Sequence, residues 1–325
     1  MYSYGFNNMN ILWIRDGKLG HEKQVHALLD EICKTEESNI FERRIKKTSF
    51  LSKLNPFNKK IRMDCASLGS SSIDVVIGAG HGTYSQILTY KKNLSSDPLA
   101  IAVLTPSLRK KDFDYICAPY HDHEKLINYE NVIFFEGSLS KVSNMTIDDN
   151  IGFIGLGGKN NHYVFNENSI FNQIQYIVSL FPDKKWFIFN SRRTPESINL
   201  KIKKLISNHP NINFENFNSS ITTSYEKILN LASIKIVSPD SVNMVYESLS
   251  TMGKSYLFDM ESKNPSNKIV NQINKLKNNR QIGYLEESLL VADFQQTKIY
   301  SQNEHSDIFA EVEKLAYKLL QKIKK

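Results

Sequence analysis

The stretch NILWIRDGKLGHEKQVHALLDEIC, residues 10–33, carries the plan of the chain in its order of residues. Asn10 to Arg15 is a short run rich in Ile, Leu and Trp and reads as a buried strand. Asp16, Gly17, Lys18, Leu19, Gly20 and His21 follow, and the glycines permit a tight turn. Gln24, Val25, Leu28, Leu29 and Ile32 then recur at helical spacing. A strand that passes through a turn straight into a helix is the repeating unit of a parallel α/β sheet.

The same unit recurs. Strands are expected at residues 73–78, 99–104, 115–119 and 131–135, with a second helix at 83–92. A second series follows, with strands at 151–156, 185–190, 234–237 and 255–258 and helices at 169–180, 196–208 and 241–251. The polar, turn-rich segment 143–150 separates the series as a linker. At 325 residues the chain is long enough for two domains. The expected fold class is α/β, two doubly wound Rossmann-like domains facing across a cleft. The N-terminal domain covers 1–148, the C-terminal domain 149–304, and 305–325 forms a terminal helix whose docking stays open. Such sheets bind ligands at the carboxyl ends of their strands.

Composition narrows the class without naming a partner. The chain has 41% hydrophobic residues and a net charge of +7, from 41 Lys and Arg against 34 Asp and Glu, which excludes a disordered polyelectrolyte. Cys33, Cys65 and Cys117 are far apart and odd in number, so neither a disulfide framework nor a structural zinc site is expected. The N-terminus lacks a basic then apolar leader, and no run reaches about 18 apolar residues. The expected location is the cytoplasm.

Candidate site residues sit where strands end. Asp16 and His21 offer a general base beside a turn, with Lys18 and Gly20 next to them. His81 and His121 with Asp122 occupy the same kind of place, and no H-x-x-x-H spacing supports a metal. In the second half Gly157 and Gly158 give flexible backbone suited to a phosphate, although G-x-G-x-x-G is absent, which disfavours a dinucleotide oxidoreductase. Ser191, Arg192, Arg193 and Thr194 supply two guanidiniums and two hydroxyls that suit a diphosphate. Asp240 or Ser241 can cap the next helix, which Gly253 closes. Asp240, Asn243 and Glu247 are expected on its polar face, where a carboxylate can accept from ribose hydroxyls.

Five strings together, DGKLGHEKQ from Asp16, FDYICAPYHD from Phe113, the NV and EG pairs at Asn131 and Glu136, SRRTP from Ser191 and PDSVNMVYES from Pro239, resemble the family of the plant mitochondrial-fission protein "elongated mitochondria" and its bacterial relatives. That family is regarded as glycosyltransferases of the GT-B type. The resemblance implies a nucleotide-sugar donor site in the second domain, with Glu247 on the ribose and the Ser241 helix start and Arg192 or Arg193 on phosphate. It implies an acceptor in the first domain, a hydroxyl deprotonated by Asp16 or His21, and no metal or other cofactor. Relatives often carry Arg where this chain has His81, and Asp-Pro-Arg where it has Thr105, Pro106 and Ser107.

Residues 42–64 interleave Arg43, Arg44, Lys46, Lys47, Lys53, Lys59, Lys60 and Arg62 with Phe50, Leu51, Leu54 and Phe57, a pattern suited to an anionic membrane surface. The leading expectation is a membrane-associated glycosyltransferase acting on a lipid-linked or envelope glycan. The alternatives are a non-catalytic membrane adaptor that retains the fold and a GT-B-like sugar-nucleotide epimerase. No aromatic platform accompanies the basic residues, so nucleic acid is not an expected partner.

Overall fold

The computed structural model describes residues 8–45, 72–219, 222–290, 294–300 and 308–324. Of the expected membrane segment, residues 42–64, the structure describes 42–45, while 46–64 lie outside the described residues, as does Cys65. The chain divides into two compact units, Met1–Lys141 with Glu311–Lys325, and Val142–Ala310.

Unit 1 holds β1 (Met9–Arg15), α1 (Leu19–Thr35), β2 (Ser38–Arg44), β3 (Val75–Ala79), α2 (His81–Asn93), β4 (Leu99–Val103), β5 (Tyr115–Pro119), α3 (His123–Leu126) and β6 (Val132–Phe135). Its sheet has the order β2-β1-β3-β4-β5-β6 and is parallel throughout. Ile11 to Ile14 and all of β3 are buried, as expected for central strands covered on both faces.

Unit 2 holds β7 (Asp148–Gly155), α4 (Glu167–Leu180), β8 (Lys185–Phe189), α5 (Glu196–Ile206), β9 (Ile212–Glu215), α6 (Tyr225–Leu231), β10 (Ala232–Val237), α7 (Val242–Leu249), β11 (Lys254–Leu257), α8 (Lys268–Asn278), β12 (Gly283–Leu290) and β13 (Phe294–Tyr300). The sheet order is β13-β12-β11-β10-β7-β8-β9, and β13 alone runs antiparallel to its neighbour. Successive strand residues point to opposite faces, so Phe153 joins the apolar cluster with Tyr246 and Leu257, and Ile154 the one with Trp186 and Ile202.

The terminal helix α9 (Glu311–Ile323) returns to unit 1, packs on α1 and β6, and accepts the Glu136 N–H on Glu311 at 2.9 Å. The units part between Lys141 and Val142, ahead of the expected boundary at 148, because Ser143 already bridges to Thr251 within unit 2. Strands β2, β9, β12 and β13 lie towards the sheet edges and were not expected from the sequence. The two sheets share one further property. In unit 1 the chain leaves β1 in one direction to β2 and in the other to β3; in unit 2 it does the same from β7 to β8 and β10. These are the topological switch points, where doubly wound sheets leave a crevice at the carboxyl ends of their strands. Among the described residues, no helix is long and apolar enough to cross a membrane.

Candidate functional site

At the switch point of unit 1, β1 ends at Arg15 and the chain turns at Gly17, whose φ is +78°. The Asp16 carboxylate, nearly sealed from solvent, accepts the Lys18 N–H on Oδ1 at 3.0 Å and meets His21 Nδ1 on Oδ2 at 2.8 Å. His21, in the first turn of α1, is partly exposed. Glu22 accepts the Gly17 N–H at 3.0 Å and pairs with Arg15 at 2.5 Å, which holds its carboxyl below the usual range. The amides of Gly17 and Lys18 are thus already engaged, and the turn serves as a mount for Asp16 and His21 instead of an anion cradle. Gly80, at the end of β3 with φ +87°, closes over this pair; a Cβ there would stand 2.3 Å from His21 Nδ1 and 3.0 Å from Asp16 Oδ2.

The other unit 1 candidates lie along the same edge. Lys18 precedes α1 and is exposed, and Gly20 lies inside that helix. His81 opens α2, with Nε2 at 3.4 Å from Ser107 Oγ. Asp122, after β5, accepts from Thr105 at 2.9 Å and lies 3.9 Å from its neighbour His121.

At the switch point of unit 2, loops from β7, β8 and β10 interlock. Gly157 donates its N–H to Ser238 Oγ at 2.7 Å and Gly158 to Asp240 Oδ2 at 2.9 Å. Ser191 Oγ donates to the Gly157 carbonyl at 2.6 Å, and Thr194 Oγ1 donates to the same oxygen. Asn160 reaches across to the Asp240 carbonyl at 2.9 Å. The close packing requires glycine, since a Cβ on Gly158 would meet the Arg193 carbonyl at 2.1 Å. Several expectations are corrected here. The glycine amides are spent on Ser238 and Asp240, and both hydroxyls on the Gly157 carbonyl, all within the loops themselves. Asp240 is not on the polar face of the helix: its side chain is fully buried and receives Arg193 Nη2 at 3.0 Å. Burial pushes the Asp240 carboxyl up, against the Gly158 amide and Arg193, which favour its charged form. Its Oδ1 has no hydrogen-bond partner.

What remains for a ligand is the first turn of α7 and the exposed Arg192, because the Ser241 N–H already donates to the Ser238 carbonyl at 3.2 Å and Arg193, besides pairing with Asp240, reaches the Gly158 and Lys159 carbonyls at 3.5 and 3.4 Å. Ser241 is the N-cap residue but makes no side-chain cap, and the helix ends at Leu249, short of Gly253, whose φ of +89° belongs to the turn before β11. Arg192 is exposed and Arg193 part-exposed. Asn243 and Glu247 are part-buried on α7, and Glu247 Oε2 accepts the Tyr225 hydroxyl at 2.7 Å. Beside Pro239 a pocket of about 100 Å³ is lined by Tyr163, Phe258, Asp259, Met260 and Lys277 among others.

Two residues with structural weight escaped the sequence reading. Tyr225 carries no local signal. Lys235 does, as a lysine inside the strand run ASIKIV; its Nζ is buried and donates to the Ser248 and Thr251 carbonyls and to Thr251 Oγ1 at 2.9, 3.1 and 2.7 Å, closing the carboxyl end of α7. Among the described residues no group of three His, Cys, Asp or Glu is placed to hold a metal ion.

The mitochondrial fission ELM1 family matches residues 19–322. The chain belongs to that family. This ELM1-family chain is 24% identical over 303 residues to an uncharacterized protein of Rickettsia prowazekii, a match covering 77% of this chain and 83% of the other. A UDP-GlcNAc 2-epimerase from Neisseria meningitidis, solved with UDP-GlcNAc bound, superposes with a TM-score of 0.55 at 10% identity, covering 97% of this chain and 99% of the other. The ADP-heptose heptosyltransferase II of Escherichia coli gives 0.50 at 9% identity, covering 77% and 84%. At such identities the likeness is one of fold. The ELM1-family chain has the GT-B-like pair of Rossmann domains shared by sugar-nucleotide epimerases and glycosyltransferases.

Proposed function

We propose that the chain is a metal-independent glycosyltransferase that binds a nucleotide-activated sugar in unit 2 and passes the sugar to a hydroxyl of a lipid-linked or envelope glycan bound by unit 1. The observation that carries this reading is the helix α7. Its first-turn N–H groups open next to Asp240 and Arg193, and Glu247 lies further along the same helix. A helix start leaves N–H groups without intrahelical acceptors, and with the helix dipole and a nearby guanidinium such a start suits a phosphate. Glu247 follows the first helical residue by about 7.5 Å of helix rise, which fits the separation of ribose hydroxyls from a terminal phosphate. The membrane-facing part of the reading rests on the basic and aromatic sequence from Arg43 to Arg62, with the protein at the inner face of the membrane.

In unit 1 the geometry favours His21 as the base. Both Asp16 oxygens are engaged inside the turn, and Asp16 Oδ2 holds Nδ1, so Nε2 of His21 is left to take the proton of an acceptor hydroxyl. Asp16 fixes the tautomer and supports the imidazolium that forms. The new bond joins the acceptor oxygen to the anomeric carbon, the bond from that carbon to the phosphate oxygen breaks, and the released phosphate is stabilised by the α7 N-terminus and arginine. Lys18, His81, His121 and Asp122 supply further polar groups to the acceptor side.

The test is thermal unfolding with a panel of UDP-, GDP-, ADP- and CDP-sugars. One class should raise the Tm of the wild type and leave Glu247→Ala unmoved. A flat response to every donor, with unaltered glycan in a Glu247→Ala strain, would sink the reading. An epimerase is the second reading, favoured by the near-complete coverage of the Neisseria enzyme. It requires product from the nucleotide sugar with no acceptor added.

A further inference from the structure

Tyr225 stands at the start of α6, with its ring edge-on to Phe153 and Phe189, each at 5.3 Å between centroids and at 82° and 79°. Those two rings, from β7 and β8, stack on each other at 5.3 Å. The phenol is therefore clamped by an aromatic trio belonging to the sheet, and its hydroxyl reaches Glu247 Oε2 on α7 at 2.7 Å. Burial, reinforced by the Glu247 charge, keeps the phenol protonated well above its ordinary range, so Tyr225 is the donor and the carboxylate the acceptor. Ser224 fixes the same turn by accepting the Lys227 N–H at 3.3 Å.

A Glu side chain has three rotatable bonds, and on a helix surface it samples several rotamers. One that must receive a vicinal diol has to present its carboxylate in one plane, because two hydroxyl hydrogens arrive together. A carboxylate has about four lone-pair directions, and Tyr225 uses one.

We infer that Tyr225 is a positioning residue that locks the Glu247 carboxylate for a cis-diol and so sets the preference of the site for ribonucleotides over 2′-deoxyribonucleotides. The inference rests on the donor reading above and adds to it the residue that enforces sugar selectivity. A purely structural Tyr225 would affect stability and leave that preference untouched.

The experiment is calorimetric titration of the full chain with UDP, GDP, ADP and CDP, followed by the 2′-deoxy form of whichever binds. Wild type should prefer the ribonucleotide by roughly tenfold, and Tyr225→Phe should cut that ratio by roughly three- to tenfold, almost wholly through weaker ribonucleotide binding. Because the ratio compares two ligands on one protein, a modest loss of stability cancels. Glu247→Gln, which leaves the aromatic trio intact, is the second variant and should lower the ratio as well. A wild-type preference that Tyr225→Phe retains in full overturns this inference alone. Absence of binding by all four nucleotides, or a preference unchanged in Glu247→Gln, overturns the donor reading together with it.

Discussion

Arg193 Nη2 lies 3.0 Å from Asp240 Oδ2, and the carboxylate it meets has no solvent exposure while the arginine remains part-exposed. The pair is therefore lopsided: the carboxylate is sealed inside the protein, while the guanidinium lies at its edge, where Nη1 also reaches the Gly158 and Lys159 carbonyls at 3.5 and 3.4 Å. Removing Arg193 leaves a buried carboxylate held by neutral donors, the Gly158 amide and the Ser238 side chain. We expect Arg193→Ala to lose about 3 kcal/mol at pH 8. Burial already raises the Asp240 carboxyl in the folded state, and without the guanidinium it rises further. The folded protein then binds more protons than the unfolded chain, so the deficit shrinks as pH falls. Urea unfolding at pH 8 and pH 5.5 checks this; an equal deficit at both values would count against it.

The Asp16 and His21 pair makes a separable prediction. His21→Ala and Asp16→Asn should each lower sugar transfer by roughly 10²- to 10⁴-fold. Neither should change nucleotide affinity, since both residues belong to unit 1 and the proposed donor contacts to unit 2. Turnover and calorimetry on the same preparations separate the two effects, and loss of nucleotide affinity in either variant would contradict the assignment.

Gly80→Ala tests the same pair through the backbone. The residue has φ +87°, and its new Cβ would overlap His21 Nδ1. With ψ at 154° it lies in a region that essentially only glycine adopts, at a cost of about 1–3 kcal/mol for another residue, and relief of the overlap should swing the imidazole away from Asp16. The expected result is a Tm lower by several degrees with activity close to that of His21→Ala, read by thermal unfolding and turnover. Full activity in the Gly80→Ala variant would show that the contact is dispensable.

Lys235 gives a pH dependence of stability. Burial lowers its ammonium to about 7 in the folded state, against an ordinary value of 10.5. Between those values the unfolded chain holds the proton more tightly, so this group makes stability rise with pH across that window, by at most about 1.4 kcal/mol per unit, and leaves it flat below. Lys235→Met should lose that rise and, at neutral pH, lose about 1–3 kcal/mol because the Thr251 carbonyl loses the lysine donor, whereas the Ser248 carbonyl keeps those of Thr251 Oγ1 and Ser255 Oγ. Trp186, fully buried in unit 2, is a suitable fluorescence reporter. An identical slope in variant and wild type between pH 7 and 9 would refute the role.

Much of the architecture was legible in residues that interact with near neighbours. The run from Asn10 to Arg15 is apolar on both faces because β1 is central, and Val25, Leu28, Leu29 and Ile32 repeat because one helix face meets a sheet. The edges were harder: β2 reads SNIFERR, and β9 has only four residues, so neither shows the continuous apolar run of a covered strand. Asp240 was misplaced for a different reason. Its helix-start position looks like a cap, and no local pattern reveals that the Gly158 amide, 82 residues earlier, and Arg193 converge on it.

The amino-acid sequence by itself determined much of the strand, turn and helix order and which loops follow the carboxyl ends of strands, because hydrophobic period and glycine turns are local properties of the chain. Tertiary structure decided what each rim residue is free to do. Ser191, Thr194, Gly157 and Gly158 have the chemistry of a phosphate site, yet once β7, β8 and β10 bring their loops together the hydroxyls go to the Gly157 carbonyl and the amides to Ser238 and Asp240. Glu247 has the chemistry of any surface glutamate until the fold sets Tyr225 against it. A polar group's availability depends on which partners the fold delivers to it, and those partners come from distant segments that the local sequence does not name.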